Sequence, residues 1–80
     1  NDYFVNLDNE FVLSKKAFLK LEQKIIDYIN KNEKLSLADY RDITNSSRRY
    51  AMIVLEKMDS LNITARKENY RVLGDKANVF

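Results

Sequence analysis

Cysteine and histidine are both absent from this 80-residue chain. Without them there is no disulfide, no thiolate or imidazole metal site, no Cys/His nucleophile pair and no Ser-His-Asp triad, which removes most enzyme classes. Glycine is nearly absent: the only one is Gly74, so neither a phosphate-cradling P-loop nor a dinucleotide fingerprint can form. Long apolar runs are missing too. The longest, Ala51 to Leu55, is far short of a membrane span, and the first residues do not resemble a signal peptide. The expectation is therefore a cytosolic chain with no membrane partner, no metal, no cofactor and no catalysis of its own.

What the chain does have is enough apolar content, 45%, for one small domain near the lower limit of independent stability. A monomer is expected. The net charge is only +2, but it is unevenly spread: all five arginines, Arg41, Arg48, Arg49, Arg66 and Arg71, lie in the second half. Arginine's planar fork suits phosphate and base edges, so this segregation says more about partners than the net charge does.

Tyr3 to Leu7 and Glu10 to Leu13 read as strands separated by the turn pair Asp8-Asn9, so the chain is expected to open with a hairpin. Because an isolated hairpin is marginally stable, residues 1–13 are assigned to a preceding module or to the junction with one, and residues 14–80 to the domain proper. Ser14 can cap a first helix on which Phe18, Leu21, Ile25, Tyr28 and Ile29 recur at helical spacing, while Lys16, Lys20, Glu22, Lys24 and Asp27 are expected to face water mostly. A polar turn at 30–34 ends it. Leu35 supplies a short strand, and Ser36 with Asp39 approximates a capping box for a second helix through Ile43. Asp39 and Asp42 share a helical spacing that acid-base chemistry can use, but charge at a helix N-terminus is the better reading. Asn45 and Asn62 each lie in a glycosylation sequon, and both fit helix ends instead.

The run Thr44-Asn45-Ser46-Ser47-Arg48-Arg49-Tyr50-Ala51 is the most informative in the chain. Ser46 or Ser47 caps a third helix that opens on two arginines, and a helix start with free amides is a natural phosphate site. Ala51, Val54, Leu55, Met58 and Leu61 form its buried face; Arg49, Ile53, Glu56 and Ser60 lie opposite, flanked by Arg48 and Met52 on one side and Tyr50 and Lys57 on the other. Ile53 on an outward face either touches a base or a partner, or is an ordinary exposed residue. Beyond Asn62, Ile63 to Lys67 and Tyr70 to Leu73 read as a hairpin turning at Glu68-Asn69. With a two-residue turn, Arg66 faces Arg71, Ala65 faces Val72 and Thr64 faces Leu73. Two arginines set opposite each other cost stability and make sense under a polyanion. Three helices followed by a small antiparallel wing define an α+β, mostly α, winged helix-turn-helix.

The ordered set Leu37 to Asp42, Ser47 to Ala51, Leu55 to Asp59, Ile63 to Arg66 and Arg71 to Leu73 resembles the last winged-helix domain of the bacterial selenocysteine-specific translation elongation factor, SelB. The resemblance covers residues 35–80, and Phe11 to Ala17 looks like the junction between that family's last two winged-helix domains. Asn62 stands where the family often has glycine, and Ala65 replaces the first of two wing arginines, leaving Arg66-Lys67. The resemblance implies a non-catalytic domain that grips the messenger RNA hairpin marking a UGA codon for selenocysteine. The GTPase would lie elsewhere, and the ribosome and selenocysteyl-tRNA would be partners of the full-length factor.

An A-form groove is too deep and narrow for side chains to read, so recognition is expected to combine phosphate contacts with bases turned out of a loop or bulge. Arg48, Arg49 and the free amides near Ser46 and Ser47 are the first candidates for phosphate. Arg41, Arg66, Lys67 and Arg71 come second. Tyr50, Ile53 and Tyr70 are candidates for base contact, with core packing the competing role for either tyrosine. Two rival classes share the layout. A DNA-binding winged helix from a transcription regulator would lay the third helix in the major groove, although only Arg49 is a base reader on its outer face and Glu56 repels phosphate. A protein-interaction winged helix would use Ile53 and the nearly balanced charge.

Overall fold

Residues 3–77 are described by a computed structural model, so residues 1–2 and 78–80 of the two assigned segments lie outside it. The element order is β1 (Phe4–Asn6), β2 (Val12–Ser14), α1 (Lys15–Asn32), β3 (Leu35–Ser36), α2 (Leu37–Thr44), α3 (Arg48–Ser60), β4 (Thr64–Lys67) and β5 (Tyr70–Leu73). β1 pairs with β2, while β3, β5 and β4 form an antiparallel sheet in that spatial order. This is the winged helix-turn-helix expected from the sequence.

The opening hairpin is shorter in its strands and longer in its turn than the alternation suggests. Asp8 is the reason: its Oδ1 accepts from the amides of Glu10 (2.8 Å) and Phe11 (2.9 Å), and the Leu7 amide reaches the Phe11 carbonyl at 2.9 Å. Five residues are thereby held in one rigid turn. Leu7 at its start is buried in the same core as Phe18, Ile25, Val54 and Leu55, and Val5, Phe11 and Leu13 pack around it. The hairpin is thus supported by the winged-helix core rather than standing alone.

Ser14 caps α1 by accepting from the Ala17 amide, and Phe18, Ile25 and Ile29 face inward as the spacing implies. Glu22 does not follow the expected pattern. It is 3% exposed, and its neighbour one turn on, Ile26, is also buried, at 7%. α1 packs against β1, β2, β3 and β5, so more than one stripe of the helix is covered, and the row Phe18, Glu22, Ile26 at i, i+4, i+8 goes under as well. Among the described residues Glu22 Oε2 has no hydrogen-bond partner. Burial accordingly pushes its carboxyl pKa up.

At the α1–α2 junction Glu33 takes the left-handed φ of 75° and its amide returns to the Ile29 carbonyl. The capping box is complete: the Asp39 amide donates to Ser36 Oγ and the Ser36 amide to Asp39 Oδ2, both at 3.0 Å. That backbone hydrogen bond from Ser36 is the chief reason the Asp39 carboxyl titrates below its ordinary range. α3 ends with Asn62 at φ 61°, where the amide of Asn62 meets the Asp59 carbonyl and that of Ile63 the Met58 carbonyl, each at 3.0 Å. Asparagine thus serves in place of glycine in a Schellman ending.

Gly74 has a role that composition conceals. Its amide donates to the Ile63 carbonyl at 2.8 Å, and a Cβ built on it would lie 2.3 Å from the Asn62 carbonyl oxygen. Only glycine lets β5 leave the sheet so close to the end of α3.

Gly74→Ala should therefore destabilise by about 1–3 kcal/mol, read from urea unfolding; an unchanged midpoint would show that the backbone gives way freely. Glu22 predicts a pH dependence. Its folded pKa lies above the ordinary 4.5, so its proton's contribution is fully present below that value and is lost as pH rises through the folded pKa. Glu22→Gln should raise the melting temperature at pH 7 and leave little difference from the parent near pH 4.

Candidate nucleic-acid interface

The α2–α3 turn carries the densest group of candidate residues, and a chain of hydrogen bonds fixes it. Asn45 ends α2 at φ 54°. Thr44 donates its only hydroxyl proton to the Tyr40 carbonyl at 2.7 Å, so the 2.7 Å contact between Thr44 Oγ1 and Ser46 Oγ must be donated by Ser46. Arg41 Nε donates to the Ser46 carbonyl at 3.2 Å. Beneath the turn, Tyr40 is fully buried, which pushes its phenol up to about 12.

Ser47, not Ser46, is the cap of α3; its Oγ accepts from the Tyr50 amide at 3.2 Å, and its carbonyl takes the Ala51 amide. The amides of Arg48 and Arg49, first in the helix, are left without intrahelical acceptors and point out of its positive end. Ser46 therefore has no hydroxyl proton to offer an anion: its part is to brace the turn. Ser47 keeps its proton.

Arg48 is exposed and forms no ion pair among the described residues. Arg49 does: its Nη2 lies 2.7 Å from Glu10 Oε2, with side chains 68% and 63% exposed, and its guanidinium stands 5.4 Å from the centre of the Phe11 ring. Phe11 in turn meets Tyr50 edge to face, centroids 5.8 Å apart. Tyr50 is thus half-buried against the hairpin turn, and burial raises its phenol pKa. Of its two expected roles, packing is the one the geometry provides. No local pattern marks Glu10 and Phe11 as part of this site, since Glu10 and Arg49, 39 residues apart, meet only in the fold.

Along the outward side of α3, Arg48, Arg49, Met52, Ile53 and Glu56 line a shallow hollow. Ile53 is only half-exposed because it leans on the core, whereas Met52 is 37% exposed. Met52 and Ile53 make its lining apolar, with the two arginines one turn toward the helix start and the Glu56 carboxylate one turn further on.

The wing has the expected register, with Thr64 facing Leu73, Ala65 facing Val72 and Arg66 facing Arg71 across a two-residue turn. The paired arginines do not wait for a polyanion. Arg71 is 6% exposed, and its guanidinium binds Asp59 at the end of α3, Nη2 to Oδ2 at 3.0 Å and Nε to Oδ2 at 3.3 Å. Thr64 donates to the other oxygen of the same carboxylate at 2.5 Å. Arg71 is therefore withdrawn from the candidate contacts: an internal acid neutralises it. Arg66 stays exposed, its Nε donating to the Glu68 carbonyl at 3.4 Å, and Lys67 is exposed beside it. Tyr70 is half-buried with the Lys34 ammonium 4.9 Å over its ring. At about 1.5 Å per residue, Asp59 lies roughly 15 Å along the axis from Arg49, so anchor and helix start are separate regions.

Known proteins bear on these residues. A family model described as elongation factor SelB, winged helix, matches residues 27–73. A selenocysteine-specific elongation factor of Desulfomicrobium baculatum is 28% identical over 75 residues, which is 94% of this chain and 11% of that protein. The solved mRNA-binding domain of elongation factor SelB from E. coli, in complex with SECIS RNA, superposes with a TM-score of 0.86 at 22% identity, covering 91% of this chain and 60% of that one. The chain thus spans about a tenth of the curated relative and three fifths of the solved chain.

Asp59→Ala should cost about 3 kcal/mol, because it leaves the Arg71 charge buried without a partner. The double change with Arg71→Met should recover part of that loss in thermal unfolding; a double variant worse than the sum of both singles would mean that the pair is not what couples them.

Proposed function

This chain belongs to the elongation factor SelB winged-helix family, and from that membership we propose that it is the part of such a factor that grips a messenger RNA hairpin directing selenocysteine insertion at UGA. The observation that supports this reading best is the outward side of α3. Its start presents Arg48, the proton of Ser47 and two amides unpaired among the described residues, all suited to phosphate, next to a hollow lined by Met52 and Ile53. A phosphate at the rim and an unstacked base in the hollow would use both features at once. A helix running the length of a groove would not, because Glu56 then meets phosphate.

Double-stranded RNA hides its base edges, whereas loops and bulges offer them on flexible backbone. A compact site at one helix end therefore suits a splayed base near a hairpin tip. Arg41, held beside the turn through Nε, keeps its terminal nitrogens for a neighbouring phosphate, and Arg66 and Lys67 would extend the contact along the wing. In the full-length factor, GTP hydrolysis, selenocysteyl-tRNA and the ribosome would engage other domains in the cytoplasm, with this domain holding the message.

Arg48→Ala should weaken RNA binding and reduce the slope of log affinity against log salt by about one, with melting unchanged. Leu55→Ala, in the core, should instead cost about 2–5 kcal/mol of stability. The partner itself is tested by titrating a selenoprotein stem-loop against a DNA duplex of matching sequence at physiological salt. The stem-loop should bind much more tightly, and changing an unpaired base should harm binding more than swapping a stem pair. Duplex DNA that equals or beats the stem-loop would reject the RNA reading in favour of a DNA-binding winged helix.

A further inference from the structure

The α3 start is not wholly open to an anion, because one of its two arginines already has a carboxylate. Glu10 reaches Arg49 from the tip of the β1–β2 hairpin, 39 residues away in sequence. Its position is not that of a loose surface side chain. The Asp8 carboxylate fixes the amides of Glu10 and Phe11, the Leu7 amide closes the turn on the Phe11 carbonyl, and Leu7 is buried in the core. Phe11 adds a second hold, with the Arg49 guanidinium over its ring and Tyr50 packed edge to face with it. Backbone, ring and carboxylate together keep Arg49 beside the helix start.

Such an exposed pair adds little to stability. It does alter what an incoming polyanion meets. Arg48 and the helix amides are available at once, whereas Arg49 becomes available only when phosphate displaces the Glu10 carboxylate. We propose that Glu10 is a specificity-determining residue: an internal carboxylate that competes with phosphate for Arg49 and so lowers the affinity of the α3 start for polyanions offering charge alone. A ligand that makes further contacts, such as a base in the hollow, retains useful affinity despite that competition, whereas one bound by charge alone does not. The idea builds on the proposed role of the α3 start as a phosphate site, but it concerns any polyanion and is tested with one that is not RNA.

The probe is inorganic polyphosphate, titrated by fluorescence anisotropy or calorimetry against the intact chain, Glu10→Gln, Arg49→Ala and the double variant over a range of salt. Glu10→Gln should bind about fivefold more tightly at low salt, roughly the most that an exposed ion pair is worth. Its salt slope should be steeper by about one, since a second arginine now meets phosphate. In the Arg49→Ala background the same change should do nothing, which separates competition for Arg49 from a general loss of negative charge. The proposal is overturned if Glu10→Gln leaves affinity and slope unchanged, if its gain persists without Arg49, or if it weakens binding, which would make Glu10 a support for Arg49. A stem-loop RNA measured alongside keeps the two ideas apart. Polyphosphate results as expected with no preference for the stem-loop over duplex DNA would reject the RNA reading alone, and stem-loop preference with no polyphosphate response would reject the competitor alone.

Discussion

The Asp59 carboxylate is the point on which the wing depends. It stands in the last turn of α3 and takes Arg71 of β5 on one side and Thr64 of β4 on the other. One group thereby ties both wing strands to the helix before them. The surroundings reinforce it: Asn62 turns the chain out of α3, Ile63 closes the helix end, and Gly74 brings β5 against the same backbone. A buried arginine without this acid would be a liability in so small a core. With it, Arg66 and Arg71 can face each other across the wing without repulsion deciding the register.

The five arginines thus divide by environment rather than by residue type. Arg71 is structural, Arg41 braces the α2–α3 turn, Arg49 is held by Glu10 and Phe11, and Arg48 and Arg66 reach into solvent. Their common segregation in the second half of the sequence does not distinguish arginines open to a ligand from those that hold the surface in place.

Much of the fold was legible because local rules acted alone. Ser14, Ser36 and Ser47 cap helices, Asn62 supplies the left-handed residue, and the Glu68-Asn69 turn sets the wing register, each within a few residues of chain. What was not legible required contacts between distant segments. Glu22 reads as a solvated face until α1 is seen to be covered on more than one side; Arg71 reads as a ligand contact until Asp59, 12 residues back, is seen beside it. The link between Glu10 and Arg49 has no local signature. Gly74 reveals its role only when a carbonyl from another element occupies the space of its missing side chain. Family resemblance, by contrast, was carried by the order of short motifs and needed no contact information.

The separation of the Asp59 anchor from the start of α3 has a consequence for how such a domain can change over time. The wing is anchored at one end of the helix, so the exposed side chains at the other end, Arg48 and Met52, can vary with little penalty in stability. Substitution at that end can reshape the surface while the wing and core stay as they are. The helix acts as a spacer that sets an adaptable surface apart from the anchor of the wing.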